Sequence, residues 1–127
     1  MSSPKAFSPG FLAVVNDAKT RVRQVNTDEY KALPKNHVLI DTREDHEWAE
    51  AHAGGAIHLS KGIIERDIET TVPDRQAILV LYCGGGYRSA LAADSLQKMG
   101  YQNVISLDGG WRAWQASGLP VEAGEKK

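Results

Sequence analysis

Cysteine is almost absent from this chain. Of 127 residues, only Cys83 carries a thiol. One thiol excludes an internal disulfide and leaves a redox sensor without a resolving partner. A reducing, cytoplasmic setting is the expectation. His37, His46, His52 and His58 show no metal-ligand spacing, so no metal site is expected. Charge of either sign is also lacking in excess. The formal net charge is -1, which gives no footprint for nucleic acid or an anionic membrane. No apolar run approaches a membrane span, and "MSSPKAFSPG" has no apolar segment after a basic start, so neither a membrane partner nor a signal peptide is expected. There is no internal repeat and no low-complexity linker.

What is present fits one ordinary domain, with 42% hydrophobic and 24% charged residues. Three apolar runs stand out: "VLID" at Val38–Asp41, "AILVLY" at Ala77–Tyr82 and "NVISL" at Asn103–Leu107. They are continuous rather than alternating, as in strands covered on both faces of a parallel sheet. Helical patterns lie between them. "TREDHEWAEA" is expected to start at a Thr42 cap with Asp45 three residues on, and "TDEYKAL" at a Thr27 cap. "SALAADSLQKMG" spaces Leu91, Ala92, Leu96 and Met99 helically and ends at Gly100. "WRAWQASGLP" puts Trp111 and Trp114 on one face. "SPGFLAVVNDAKTRV" opens with Pro9 and spaces Phe11, Leu12, Val15 and Ala18 as a further helix. Strand alternating with helix predicts an α/β domain with right-handed crossovers.

In such sheets ligands bind beyond the carboxyl ends of the strands, and Cys83 sits at one of those ends. Gly84, Gly85 and Gly86 follow, then Tyr87, Arg88 and a helical pattern. Glycines permit backbone angles closed to other residues and present no Cβ to an approaching group. A tight loop can therefore turn N–H groups toward the sulfur, the helix start adds free N–H groups and its dipole, and Arg88 adds a full charge. Such an anion cradle favours thiolate over thiol. A lone cysteine after a strand is more often inert core, and a glycine triplet more often a plain turn. Their conjunction with Arg88 and a helix start predicts function.

The stretch "YCGGGYRSALAADSLQKMGYQNVISLDGGWRAW" resembles the active-site half of single-domain rhodaneses, the thiosulfate sulfurtransferases. Upstream, "VLIDTREDHEWAEAHAGGAIHLSKG" is similar to the family's other hallmark at Asp41, Arg43, Glu44, Glu47, Trp48, His52, Gly55 and Ala56. It departs from that hallmark at Ala51, Ala53 and Gly54, within a structural turn. "LDGGWRAWQASGLPV" resembles the family's terminal elements. The resemblance implies a rhodanese-like α/β fold, a five-stranded parallel sheet with helices on both faces. It places that domain at residues 20–122, after a helical extension over 1–19 that packs on it and before a flexible tail over 123–127. It implies that Cys83 is the nucleophile, taking a sulfane sulfur from thiosulfate or a persulfide donor and passing it to a thiophilic acceptor, cyanide in vitro. Backbone N–H groups from Gly84 through Gly85, Gly86 and Tyr87 to Arg88 would hold the persulfide. No metal or organic cofactor is expected. The expected partners are a small-molecule sulfur donor and acceptor, with a thiol or a protein as a further acceptor.

Lys61, in "HLSKG", is read as steering an anionic donor, with a plain solvated lysine as the alternative. Asp41 and Arg43 are read as a structural pair, His52 as a satisfied structural histidine, and the two tryptophans as packing. Two other functions compete. A phosphatase of the cell-division-cycle type shares the fold, but its loop is longer than the four residues that separate Cys83 from Arg88. A non-catalytic or sulfur-relay module binding a protein partner is the alternative from a different class, though such modules often lose the cysteine kept here.

Overall fold

The computed structural model describes residues 7–124. Three central strands form where the apolar runs predict them: β2 (Val38–Asp41), β5 (Ile78–Tyr82) and β6 (Asn103–Leu107), the middle one starting a residue later than the run. Two short strands, β1 (Arg23–Val25) and β4 (Ile57–His58), complete a five-stranded parallel sheet in the order β1-β6-β5-β2-β4. Both faces of β5 are covered. Leu79 and Leu81 enter a core with Ile64, Ile68, Ala92 and Leu96 on one side. Val80 and Tyr82 enter a second core with Leu107 and Trp114 on the other. This double coverage is why the central runs read as continuous rather than alternating.

The helices are α1 (Pro9–Lys19), α2 (Thr27–Lys31), α3 (Asp45–Glu50), α4 (Ile64–Thr71), α5 (Tyr87–Lys98) and α6 (Gly110–Ala116). Two expected caps are corrected. Asn26, not Thr27, caps α2 through a reciprocal pair with Glu29. At α3 the capping pair is Glu44 with Glu47, and Thr42 lies upstream of the helix. The Thr42 hydroxyl donates instead to the Tyr82 carbonyl at 2.9 Å, because extended backbone at the end of β2 places it beside β5. A small antiparallel ribbon pairs β3 (Ala51–Ala53) with β7 (Val121–Ala123). Ala123 thus lies in a strand, and the Gly124 N–H donates to the Glu50 carbonyl at 3.3 Å. Ordered structure therefore continues two residues into the stretch read as tail, and residues 125–127 lie outside the described residues, as do 1–6 of the extension.

Beneath the sheet's carboxyl edge, Arg43 grips Asp41 at 2.8–3.1 Å and also donates to the Ala51 carbonyl at 2.7 Å. The Tyr82 hydroxyl donates to Asp41 at 2.6 Å and accepts from the Ala53 N–H at 3.0 Å. Burial, with the neighbouring Asp41 charge, pushes the Tyr82 hydroxyl well above the usual phenol range, so it stays a donor. This cluster ties β2, β5 and β3 together.

Helix α1 buries Val15 and Ala18 and packs against α5. The Arg21 guanidinium, just beyond α1, clamps Asp94 of α5 with two bonds of 2.9 Å. Its hydrogen bonds hold the Asp94 carboxyl below the usual carboxylate range. A carboxyl whose folded-state value is depressed adds stability that is present above its unfolded value of 3.8 and is lost as pH falls through the folded value. Arg21→Gln should therefore destabilise the fold most near neutral pH, with the deficit shrinking below about pH 4. Urea unfolding of both proteins across that range checks this. A deficit independent of pH would remove the clamp from the account.

Candidate active site

Cys83 is the first residue after β5, the central strand, and is only 1% exposed. Its sulfur lies inside a backbone loop. The Gly86 N–H donates to Sγ at 3.2 Å and the Ser89 N–H at 3.4 Å. The Cys83 thiol donates to Ser89 Oγ at 3.7 Å, and that hydroxyl shares a hydrogen bond of 2.8 Å with Ser106 Oγ on β6. In the thiolate the Ser89 hydroxyl can turn and donate to sulfur, with Ser106 donating in turn. The loop needs glycine for a definite reason: Gly86 has φ +98°, a left-handed conformation that L side chains rarely adopt, and it is the N-cap of α5. The Ser89 N–H is one of the first, otherwise unpaired donors of that helix.

A second helix start closes the loop from the other side. Trp111 and Arg112, in the first turn of α6, donate their N–H groups to the carbonyls of Cys83 and Gly84 at 2.7 and 3.3 Å. Gly110 makes this approach possible. It has φ +52°, and a Cβ there would fall 2.3 Å from the Cys83 carbonyl oxygen. Trp111 is held below by the Arg43 guanidinium, 4.6 Å from its ring.

Above the sulfur opens a cavity of about 350 Å³, lined by Cys83, Gly84, Gly85, Tyr87 and Arg88 of the loop. Arg112, Glu47 and two aromatic rings of the N-terminal segment, Phe7 and Phe11, complete its wall. Arg88 is not a free cation: its Nη1 donates to Glu47 at 3.3 Å and lies 4.0 Å from Glu44. Burial opposes ionisation of Glu47, but the Glu44 N–H and Arg88 outweigh it and hold the carboxyl below its usual range. Arg112 has no carboxylate partner among the described residues.

Of the loop N–H groups expected at the sulfur, from Gly84 to Arg88, only that of Gly86 bonds Sγ; Gly84, Gly85, Tyr87 and Arg88 line the cavity, while Lys61 does not. Its N–H donates to the Thr42 carbonyl at 3.0 Å, which places it on the same sheet edge but beyond β2. Ser89, Ser106, Glu47, Arg112, Phe7 and Phe11 were not singled out from sequence as site residues. A signal existed for Ser89, which stands in the first turn of the helix after the cysteine loop. Arg112 and the two phenylalanines reach the site only through tertiary packing.

An α/β domain with a thiol enclosed by main-chain donors at the carboxyl edge of its central strand makes this a cysteine-loop protein. The model of the rhodanese-like domain matches residues 26–117, and the chain belongs to that family. It is 35% identical over 99 residues to the thiosulfate sulfurtransferase GlpE of Vibrio cholerae, covering 78% of this chain and 92% of that protein. Among solved structures, it is similar to the polysulfide-sulfur transferase homodimer of Wolinella succinogenes (26% identity, TM-score 0.77, covering 97% of this chain and 94% of that one). It is also similar to a Rhodopseudomonas palustris protein of unknown function described as a possible tyrosine phosphatase (28% identity, TM-score 0.76, covering 95% of this chain and 100% of that one).

Gly110→Ala should force Cys83 and Gly84 away from α6. A displacement of about 1 Å in a reacting group can cost roughly 10²-fold in rate. The substitution should therefore depress Cys83 reactivity toward iodoacetamide by about that factor while the far-ultraviolet dichroism stays native. Unchanged alkylation would show that α6 does not set the loop.

Proposed function

We propose that this protein is a thiosulfate sulfurtransferase working through a persulfide on Cys83. The observation that carries the reading is the buried sulfur itself, held by the Gly86 and Ser89 N–H groups at the floor of an open cavity. The Cys83 thiolate attacks the outer sulfur of thiosulfate. An S–S bond to Cys83 forms as the donor's S–S bond breaks, and the electron pair leaves with sulfite. A thiophilic acceptor then takes the terminal sulfur and returns the thiolate; with cyanide the product is thiocyanate. Neither half-reaction changes total charge or needs a proton, so the protein has to position and stabilise anions only. The relative's name supports thiosulfate as the sulfur donor. A small-molecule donor and acceptor fit the cavity, and a thiol or a protein acceptor would enter by the same mouth. No helix of the described residues is long and apolar enough to cross a membrane.

The description of the Rhodopseudomonas neighbour raises phosphate-ester hydrolysis as a second reading. Four residues between Cys83 and Arg88 make a smaller ring than a phosphate needs, and Arg88 is turned to Glu47. The sulfur reading therefore ranks first, and p-nitrophenyl phosphate should not be hydrolysed.

Cys83→Ser should abolish thiocyanate formation from thiosulfate and cyanide with the fold intact. Mass spectrometry of the donor-treated native protein should find one added sulfur, on Cys83. Double-reciprocal plots should be parallel, as a single nucleophile alternating between two substrates requires. Substantial turnover by folded Cys83→Ser would overturn the mechanism. Arg88→Ala should lower kcat/KM for thiosulfate by about 10-fold, less than the roughly 10²–10³ of a dedicated oxyanion donor, because Glu47 already shares the guanidinium.

A further inference from the structure

The mouth of the cavity is more apolar than an oxyanion alone requires. Phe7 and Phe11 bracket Tyr87: the Phe7 ring lies 4.7 Å from Tyr87, edge-on, and 5.1 Å from Phe11, and the Phe11 ring lies 6.2 Å from Tyr87. Lys19, at the end of α1, places its Nζ 4.9 Å above the Tyr87 ring. Phe7 remains 50% exposed despite these contacts, one of three large hydrophobic side chains left so open among the described residues. Two of the three rings come from the segment before residue 26, outside the part of the chain that matches the family model.

The charges at the mouth point the same way. Arg88 is engaged by Glu47, and Arg112 is left to meet a ligand's charge. With Lys19 over the Tyr87 ring and Arg112 in the cavity wall, cations stand beside three aromatic rings, a setting that suits an anion with an apolar body.

From these rings and charges we infer that Phe7 and Phe11, with Tyr87, form a specificity wall that selects donors carrying their sulfane sulfur on an apolar organic group, such as an organic thiosulfonate or persulfide. This rests on the sulfurtransferase reading and adds a substrate class to it. The Cys83 thiolate attacks the sulfane sulfur of the thiosulfonate. The bond from Cys83 to that sulfur forms, the bond from that sulfur to the sulfonyl group breaks, and the electron pair departs with the organic sulfinate. One thiolate and one monoanionic donor give one persulfide anion and one sulfinate anion, with no proton and no further reactant. The sulfinate carries the apolar group against the rings while the sulfonyl oxygens face Arg112.

The test compares benzenethiosulfonate with methanethiosulfonate, which share one reacting head and one charge, using cyanide as acceptor. kcat/KM is measured for both donors with the native protein, Phe7→Ala, Phe11→Ala and the double variant. The aryl-over-methyl ratio should fall at least about 10-fold in the double variant, the scale on which apolar pockets discriminate. Comparing proteins cancels the donors' intrinsic reactivities. Calorimetric binding of benzenesulfonate, which cannot transfer sulfur, should weaken by about the same factor. Because Phe7 precedes α1 and is half exposed, Phe7→Ala alone carries the test should the double variant fail to fold. Sulfur loading onto Cys83 with a ratio and a Kd indifferent to both substitutions would overturn the wall and leave the sulfurtransferase reading standing. Benzenesulfonate binding that depends on the rings, with no sulfur loaded from either donor or from thiosulfate, would overturn the sulfurtransferase reading and the donor assignment with it.

Discussion

Everything in this site depends on main-chain N–H groups reaching a buried sulfur. A sulfur anion removed from water must be met by donors, or its burial costs several kcal/mol. Side chains could supply them, but they would fill the space around the sulfur. Main-chain donors from Gly86 and Ser89 do not fill it, and they can point inward only because Gly86 takes a positive φ. The same demand explains Gly110, which lets the first turn of α6 bond to the carbonyls of the loop. Two donors, the Gly86 and Ser89 N–H groups, then face the sulfur, and two acceptors, the Cys83 and Gly84 carbonyls, face α6, so these polar groups of a tight turn are paired on both sides. Placing β5 at the centre of a parallel sheet brings the starts of α5 and α6 to one edge, where this division becomes possible.

A loop so constrained needs a rigid floor, and the floor here is polar. Asp41, Arg43, Ser89 and Ser106 are nearly or wholly buried, yet no buried side-chain nitrogen or oxygen lacks a partner among the described residues. Buried polar clusters are costly when half satisfied and specific in geometry when complete. Arg43 shows the gain. One guanidinium fixes Asp41, the Ala51 carbonyl and the face of Trp111, linking β2, the β3–β7 ribbon and α6. Tyr82, the residue directly before Cys83, is anchored to the same cluster through its hydroxyl.

The parts legible from sequence were those set by local chemistry. The buried strands β2, β5 and β6 announced themselves as continuous apolar runs, and the glycine triplet after Cys83 marked the loop. The edge strands β1 and β4 did not. β4 has two residues, and in β1 only Val25 is buried, so neither shows a periodic pattern. The caps differ from the expected ones where two nearby residues could each serve. Asn26 wins over Thr27 because Glu29 returns the bond, and Glu44 replaces Thr42 because the Thr42 hydroxyl is taken by β5. The engagement of Arg88 by Glu47 could not be read, since its partner lies 41 positions away. Arg112 and Phe11 carry no local mark of a site: each sits in a helix whose other residues pack ordinarily.

Those long-range residues matter because the proposed cycle moves a charge without changing it. Thiolate and persulfide are both monoanions, but the persulfide's charge lies farther out by one S–S bond, about 2 Å. The donors from Gly86 and Ser89 are aimed at the inner position, and Arg88 and Arg112 line the cavity above it. In that cycle the resting state would be held mainly by backbone and the loaded state increasingly by side chains. A fully available Arg88 would favour the loaded state and make the terminal sulfur harder to surrender. By engaging Arg88, Glu47 would bring the two states of the proposed cycle closer in energy, which is what a carrier needs if it is both to accept a sulfur and to release it.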